Sequence, residues 1–339
     1  MKKMIRKGWF LGAVMIMLWL ILGNPVLAEE KNYQGFEYRV VLHTRYLGYE
    51  SFKYYGDEEE EFAEEPVEED LGDSLRIKKY LVITGYTGNE AEVVIPDVIE
   101  GIPVAYVEDS AFAYNTTIKK VTIPDAIETI GDGAFSNCSN LEEVHLGDLQ
   151  DVPSEAFENC RKLKKVYGNP WWYYDKAFFN CSSLQNVVIP NGEEPKSSNI
   201  GDLAFAGCKN LREMKVCGAS SVGYGAFYGC KKLKTFEAFS SSMFVFKRAF
   251  YGCTSLEKVI GIRAIQTDAF YGCKKLKEIE FKDNFAGIDK NALRNTNKKL
   301  KIRVKKKYKK TIKNALTKKT GYKKTMKIVV SDNQKKNTK

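Results

Sequence analysis

The stretch Ile127–Leu146, I-E-T-I-G-D-G-A-F-S-N-C-S-N-L-E-E-V-H-L, decides the fold, because it is one copy of a unit that fills most of the chain. Apolar residues stand seven and four positions before the alanine, at Ile127 and Ile130. Ala134-Phe135 follows, then Cys138, Leu141, Val144 and Leu146. The pair returns as Ala111-Phe112, Ala156-Phe157, Ala177-Phe178, Ala204-Phe205, Ala226-Phe227, Ala249-Phe250 and Ala269-Phe270, and fades at Ala292-Leu293. Successive spacings are 23, 22, 21, 27, 22, 23, 20 and 23 residues. Self-similarity at such a period implies a stacked solenoid.

Within each copy, Leu-x-x-Val-x-Leu has the period of two that sends alternate side chains to opposite faces of a strand. Every coil therefore contributes at least one short strand. One coil alone leaves both faces of its phenylalanine bare, so coils must come in series between atypical ends. The repeated positions are committed to the core, which leaves function to the outward surface.

The template resembles the BspA-like class of bacterial leucine-rich repeats, in which Ile-Gly-x-x-Ala-Phe is joined to Cys-x-x-Leu-x-x-Val-x-Ile-Pro. Here those elements are Ile130-Gly131, Ala134-Phe135, Cys181, Leu184, Val187 and Ile189-Pro190. The resemblance extends over roughly residues 80 to 304. It implies a secreted or surface-displayed protein that binds other macromolecules, without naming the ligand. The expected architecture is a mainly-β solenoid of eight or nine coils with a β-rich amino-terminal cap and a basic helix-and-strand carboxyl-terminal cap. The expected division is a leader at 1–28, a cap at 29–80, the solenoid at 81–304 and a basic cap and tail at 305–339.

The leader reading rests on Lys2, Lys3, Arg6 and Lys7, then an apolar run from Trp9 to Leu22 and the small-residue site Val26-Leu27-Ala28. That is the layout of a signal peptide cut after Ala28, and the run is short of the roughly 20 residues a spanning helix needs. No second apolar run follows, so an extracellular, secreted or loosely surface-associated protein with no membrane span after cleavage is expected. Cleavage would lower the formal charge from +10 to +6. The charge is unevenly spread: residues 29–75 carry −11, residues 76–297 balance twenty-seven bases with twenty-seven acids, and residues 298–339 carry +17.

Eight cysteines in an exported chain ordinarily suggest disulfides. Seven of them, Cys138, Cys160, Cys181, Cys208, Cys230, Cys253 and Cys273, share one template position and should line up as a buried column of small hydrophobes. Cys217 is off template and is the expected reactive thiol. The chain has only His43 and His145, too few to suggest a metal centre or a histidine-centred triad, and no phosphate-binding glycine loop is present. Neither an enzyme nor a cofactor is expected.

At the amino-terminal end, Phe36, Tyr38 and Val40 alternate and Leu81-Val82-Ile83 suits a strand, with the Glu-rich segment 57–70 too acidic to bury. At the other end Leu300, Ile302 and Val304 suit a last strand. Tyr308, Ile312, Ala315 and Leu316 recur at helical spacing, Gly321 suits the helix stop, and Met326, Ile328 and Val330 alternate. Lys309, Lys310, Lys313, Lys318 and Lys319 then face solvent, either as a solvated face or as a contact for an anionic partner such as cell-wall polymer. Nucleic acid is disfavoured as a partner, because export separates the two and no base-stacking module is recognisable.

Two outward columns run along the strands. One reads Lys120, Glu143, Lys165, Asn186, Glu213, Thr235, Lys258, Glu278; the other reads Thr122, His145, Tyr167, Val188, Lys215, Glu237, Ile260, Glu280. Mixed signs argue against a strand face built for a regular polyanion and fit either a protein epitope or simple solubility. The positions six and five before each alanine are mostly small or polar, but Trp171-Trp172 and Met243-Phe244 break that rule, with Tyr174 and Phe246 in the same two coils. These aromatic intrusions, with Tyr167 and His145, are the expected contact for a protein ligand of host matrix or bacterial surface. The competing expectation is that they pack beneath the enlarged loop Gly192 to Asn199.

Overall fold

The computed structural model describes residues 31–46, 75–189, 194, 196, 199–217, 220–239, 242–282 and 284–331. The leader and the acidic segment 57–70 lie outside the described residues.

The repeat closes into a coil for a local reason. The residue before each alanine and the second residue after each phenylalanine both sit at positive φ, as at Gly133 (62°) and Asn137 (59°), or Asp268 (59°) and Gly272 (79°). Asn and Gly dominate the second position because both tolerate the left-handed region. The turn so formed stacks on its neighbour: Phe135 N–H donates to Ala156 C=O at 2.8 Å, and Phe157 N–H to Ala177 C=O at 2.9 Å. The same bond joins every later coil. Leu293 N–H donates to Thr320 C=O at 2.8 Å, so a tenth turn without the motif extends the expected eight or nine.

Two rows of parallel strands flank these turns. In the first, Lys120–Thr122, Glu143–His145, Lys165–Tyr167 and Asn186–Val188 pair in sequence. Pairing stops there and resumes through Glu213–Cys217, Thr235–Phe239, Lys258–Ile265, Glu278–Phe281, Lys301–Lys305 and Lys327–Ser331. The interruption coincides with the 27-residue spacing. In the second row, Ile102–Val107 pairs with Thr129–Ile130, and after a gap Asp151–Val152, Trp172–Tyr173, Asn199–Ile200, Ser221–Val222 and Met243–Val245 continue it.

Between the rows runs one core. Phe112, Phe135, Phe157, Phe178, Phe205, Phe227, Phe250 and Phe270 are fully buried and stack ring on ring at 4.7 to 5.4 Å. Each such pair adds about 0.5–1.5 kcal/mol beyond burial. Tyr86 seals the first ring at 5.5 Å. It is delivered by the strand Leu75–Tyr86, which lies antiparallel to Phe36–Tyr46 and parallel to Ile102–Val107.

The seven template cysteines are buried and free, in a column as expected. They are more than small hydrophobes. Each thiol donates to the phenylalanine carbonyl of the preceding coil, as Cys138 Sγ to Phe112 O and Cys230 Sγ to Phe205 O, both at 3.1 Å. Burial pushes these thiols well above their ordinary range at Cys160, Cys181, Cys208, Cys230, Cys253 and Cys273. Cys217 ends its strand, but its side chain lies outside the described residues.

The carboxyl-terminal segment departs from expectation in two ways. The helix Lys309–Ala315 ends before Leu316, whose backbone is extended, and Gly321 instead occupies the tenth turn at φ 87°. A Cβ there would meet Arg294 N at 2.5 Å, so close stacking on the preceding turn requires glycine. The last strand is Lys327–Ser331, added in parallel beyond Lys301–Lys305. Among the described residues no helix is long and apolar enough to cross a membrane.

Candidate functional site

The outward columns have the register that the repeat implies: Lys120, Glu143, Lys165 and Asn186 are paired in order, as are Thr122, His145, Tyr167 and Val188. Some of their charges are paired with neighbours. Lys120 reaches Glu143 at 3.4 Å, and Arg303 reaches Glu278 at 2.8 Å. Exposed pairs of this kind contribute about 0–1 kcal/mol each. His145 Nε2 lies 2.9 Å from Glu143 Oε1, and this hydrogen bond holds the Glu143 carboxyl below its usual range. The imidazole stacks on Tyr167 at 4.5 Å and 15°.

That stacked pair forms one wall of an open cleft of about 660 Å³. Trp171, Asn169, Asp125, Asp148 and Lys196 line it as well. Asn169 shapes this corner by donating to Glu194 C=O and accepting from Lys196 N–H. Three of the expected contact residues, His145, Tyr167 and Trp171, are thus brought to one place although twenty-six residues separate the first from the last.

Trp171, Trp172 and Tyr174 are 48%, 37% and 37% exposed. The alternation of Trp172–Tyr173 explains the arrangement: Tyr173 points inward against Phe205, and its neighbours point out. Trp172 and Tyr174 rings are 5.7 Å apart. Trp172 pairs in register with Asp151 on one side and Asn199 on the other. Burial raises the Asp151 carboxyl above the ordinary aspartate range.

The second aromatic coil differs. Met243 is fully buried and cannot meet a partner, contrary to expectation. Its strand begins a residue early and lies beside a bulge at Arg263 of Lys258–Ile265, so Met243 pairs with Ile262 and turns into the core while Phe244 pairs with Ala264. Phe244 is half-buried, covered by the Arg263 guanidinium at 4.8 Å, and Phe246 packs beside it at 6.3 Å. The register Trp172, Asn199, Ser221, Phe244 places the two groups three coils apart, about 14 Å at ~4.8 Å per step. Gly201 and Gly223 keep the floor between them low.

The five expected polyanion contacts are all exposed, but they divide. Lys309, Lys310 and Lys313 lie on the short helix, whereas Lys318 and Lys319 lie on the tenth turn against Asn291–Leu293.

One surface was missed in the sequence. Tyr228, Tyr251 and Tyr271 stack at 5.0 and 4.9 Å with their rings within 6° of parallel, and Tyr228 is 44% exposed. The signal was the threefold Phe-Tyr-Gly-Cys, at Phe227–Cys230, Phe250–Cys253 and Phe270–Cys273. Among the described residues no cluster of His, Cys, Asp and Glu suits a metal ion.

Solved structures similar to the chain include a leucine-rich repeat protein of T. pallidum, at 26% identity over 58% of this chain and 82% of that one, with a TM-score of 0.42. A leucine-rich repeat protein of Bacteroides ovatus matches at 19% identity over 75% and 96% of the two chains, TM-score 0.33. A leucine-rich cell surface protein of Faecalibacterium prausnitzii matches at 20% identity over 75% and 91%, TM-score 0.29. No curated protein matches. The model of the BspA type leucine rich repeat region matches in six copies across residues 105–219, 173–261 and 247–330. With the stacked Ala-Phe turns and the cysteine column lying inside those segments, the chain belongs to the BspA-type leucine-rich repeat family.

Proposed function

We propose that this is a secreted or cell-surface protein whose solenoid mediates protein–protein interaction or adhesion, and that it has no catalytic role. The observation that carries this reading is the exposure of Trp171, Trp172 and Tyr174 together, beside the cleft walled by His145 and Tyr167. Large aromatic side chains held rigidly at a surface are favoured binding anchors, since they bury much area at little entropic cost. Nothing in the fold requires them there, because the neighbouring coils place Asn199 and Ser221 at the Trp172 position. The test is capture from host extracellular matrix and from the producer's own envelope, using protein that begins after Ala28. Trp171→Ser/Trp172→Ser should keep the fold and lose the captured protein; capture unchanged by the double substitution would reject the site.

A second reading, a structural envelope component held to anionic cell-wall polymer by the basic carboxyl-terminal segment, is favoured by the exposure of Lys309, Lys310 and Lys313 on one helix. It predicts attachment to cells that vanishes in moderate salt and on deletion of 298–339.

A further inference from the structure

The turn edge of the solenoid changes character halfway along. In the first five coils the positions around Ala-Phe carry the acids Asp109, Asp132, Glu155, Glu158, Asp175 and Asp202. Four of these acids are architectural. Asp109 Oδ1 accepts Asp132 N–H, Asp132 Oδ1 accepts Ser154 N–H, Asp175 Oδ1 accepts Asp202 N–H, and Asp202 Oδ1 accepts Tyr224 N–H. Each of the four caps the next coil. From the sixth coil onward the cap is abandoned: Tyr224, Lys247, Thr267 and Lys290 stand where the aspartates stood.

What replaces it is basic and aromatic. Tyr228, Tyr251 and Tyr271 form their stack along the edge, and Lys231, Lys232, Lys274 and Lys275 follow the tyrosines on the same turns, all four exposed. Arg248 lies over Tyr251 at 5.9 Å. Asp268, 3.9 Å from Arg248, is the acid among these turn positions. The strip then runs into a cleft of about 310 Å³ whose charged lining is Arg294, Lys318 and Lys323, with Tyr322 beside them. Arg294 continues the tyrosine column, since Gly272 N–H donates to its carbonyl as Gly252 N–H does to that of Tyr271.

We propose that this edge, from Tyr228 to the Arg294 cleft, binds an extended anionic polysaccharide lying along the solenoid axis. The lysine pairs stand on the sixth and eighth coils, with Thr254 and Ser255 at that position on the coil between and Arg294 on the ninth, a spaced row that suits a linear chain of repeated sulfate or carboxylate groups. Tyrosine contributes what a lysine row lacks: a flat apolar face for a pyranose ring and a hydroxyl for its substituents. The parallel rings cover each other, so flat faces are free only at the ends of the stack; that serves a chain needing one ring contact beside repeated charges, but not single-stranded nucleic acid, which stacks base after base. This site is separate from the aromatic coil around Trp171 and from the helix that carries Lys309.

The test uses a heparin-derived oligosaccharide and full-length protein from residue 29, with affinity measured by calorimetry at about 0.15 M salt. Lys231→Gln/Lys232→Gln/Lys274→Gln/Lys275→Gln should weaken binding about sixteen- to eightyfold, the product of four contacts each worth a factor of about two to three in screened water. Lys309→Gln/Lys310→Gln/Lys313→Gln should change it less than about threefold, and the thermal melt of both variants should match the parent. Tyr228→Ala should weaken the oligosaccharide while leaving any binding of polyglutamate unchanged. Equal affinity for polyglutamate and the oligosaccharide would overturn the polysaccharide assignment, as would a parent protein that binds neither. Loss of binding in the helix variant but not in the edge variant would overturn the location.

Discussion

Replacing Phe227 by alanine tests the claim that the solenoid is held together coil by coil. Phe227 is fully buried and touches three rings: Phe205 at 5.4 Å and 3°, Phe250 at 5.2 Å and 4°, and Phe236 edge-on at 5.4 Å. Truncation of a buried phenylalanine costs about 3–5 kcal/mol. Alanine keeps the backbone bond to Ala249, so the loss falls on packing at the two flanking interfaces. Because stability in a repeat stack is a sum of unit and nearest-neighbour terms, weakening two adjacent interfaces should uncouple the halves. The chain carries its own reporter, since Trp171 and Trp172 are the tryptophans beyond the leader and both precede the lesion. In urea the parent should show coincident transitions by circular dichroism and tryptophan fluorescence. Phe227→Ala should lose dichroism first and fluorescence at higher denaturant. Coincident transitions with a loss below about 2 kcal/mol would refute nearest-neighbour coupling through the ring stack.

Three further outcomes follow from the geometry. The seven column thiols should resist a thiol reagent in folded protein and react together on unfolding, because all seven are buried and burial holds those from Cys160 to Cys273 in the protonated form; stoichiometric labelling of native protein would contradict the column. Asp151→Asn should raise the melting temperature at pH 7 but not near pH 3. A carboxyl raised in the folded state by burial costs stability while ionised, and that cost shrinks as pH falls through its folded value and is gone below the ordinary aspartate range. Gly321→Ala should loosen the tenth turn, since the left-handed φ of 87° and the 2.5 Å approach to Arg294 both oppose a side chain; hydrogen exchange at Leu293, whose N–H bonds to Thr320, should speed up, while exchange at Phe135 stays constant.

The core was legible because Ala, Phe, Cys and Leu carry it, and each recurs in phase. The register of the outward columns followed from the same phase. Met243 was misplaced because a bulge is a backbone event, invisible in a residue's spacing from the next alanine. The end of the helix was misplaced because Gly321 reads equally as a helix stop or as a left-handed turn, and the contact with Arg294 that decides between them is distant in sequence. The tyrosine stack was overlooked because the position after phenylalanine varies in the early coils, through Ser136, Glu158 and Phe179, before tyrosine fixes there. Charge along residues 76–297 sums to zero, which conceals its separation at the turn edge.

The two interruptions in strand pairing bear on the mechanics of the molecule. The first row is broken between Val188 and Glu213, but at that level the second row joins Trp172–Tyr173 to Asn199–Ile200. The second row is broken between Ile130 and Asp151, where the first row joins Glu143–His145 to Lys165–Tyr167. Turn bonds cross both levels, from Phe135 to Ala156 and from Phe178 to Ala204. The joints are staggered like courses of masonry, so neither level loses more than one seam. A pull along the axis is therefore shared along the length instead of opening a hinge beneath the exposed tryptophans.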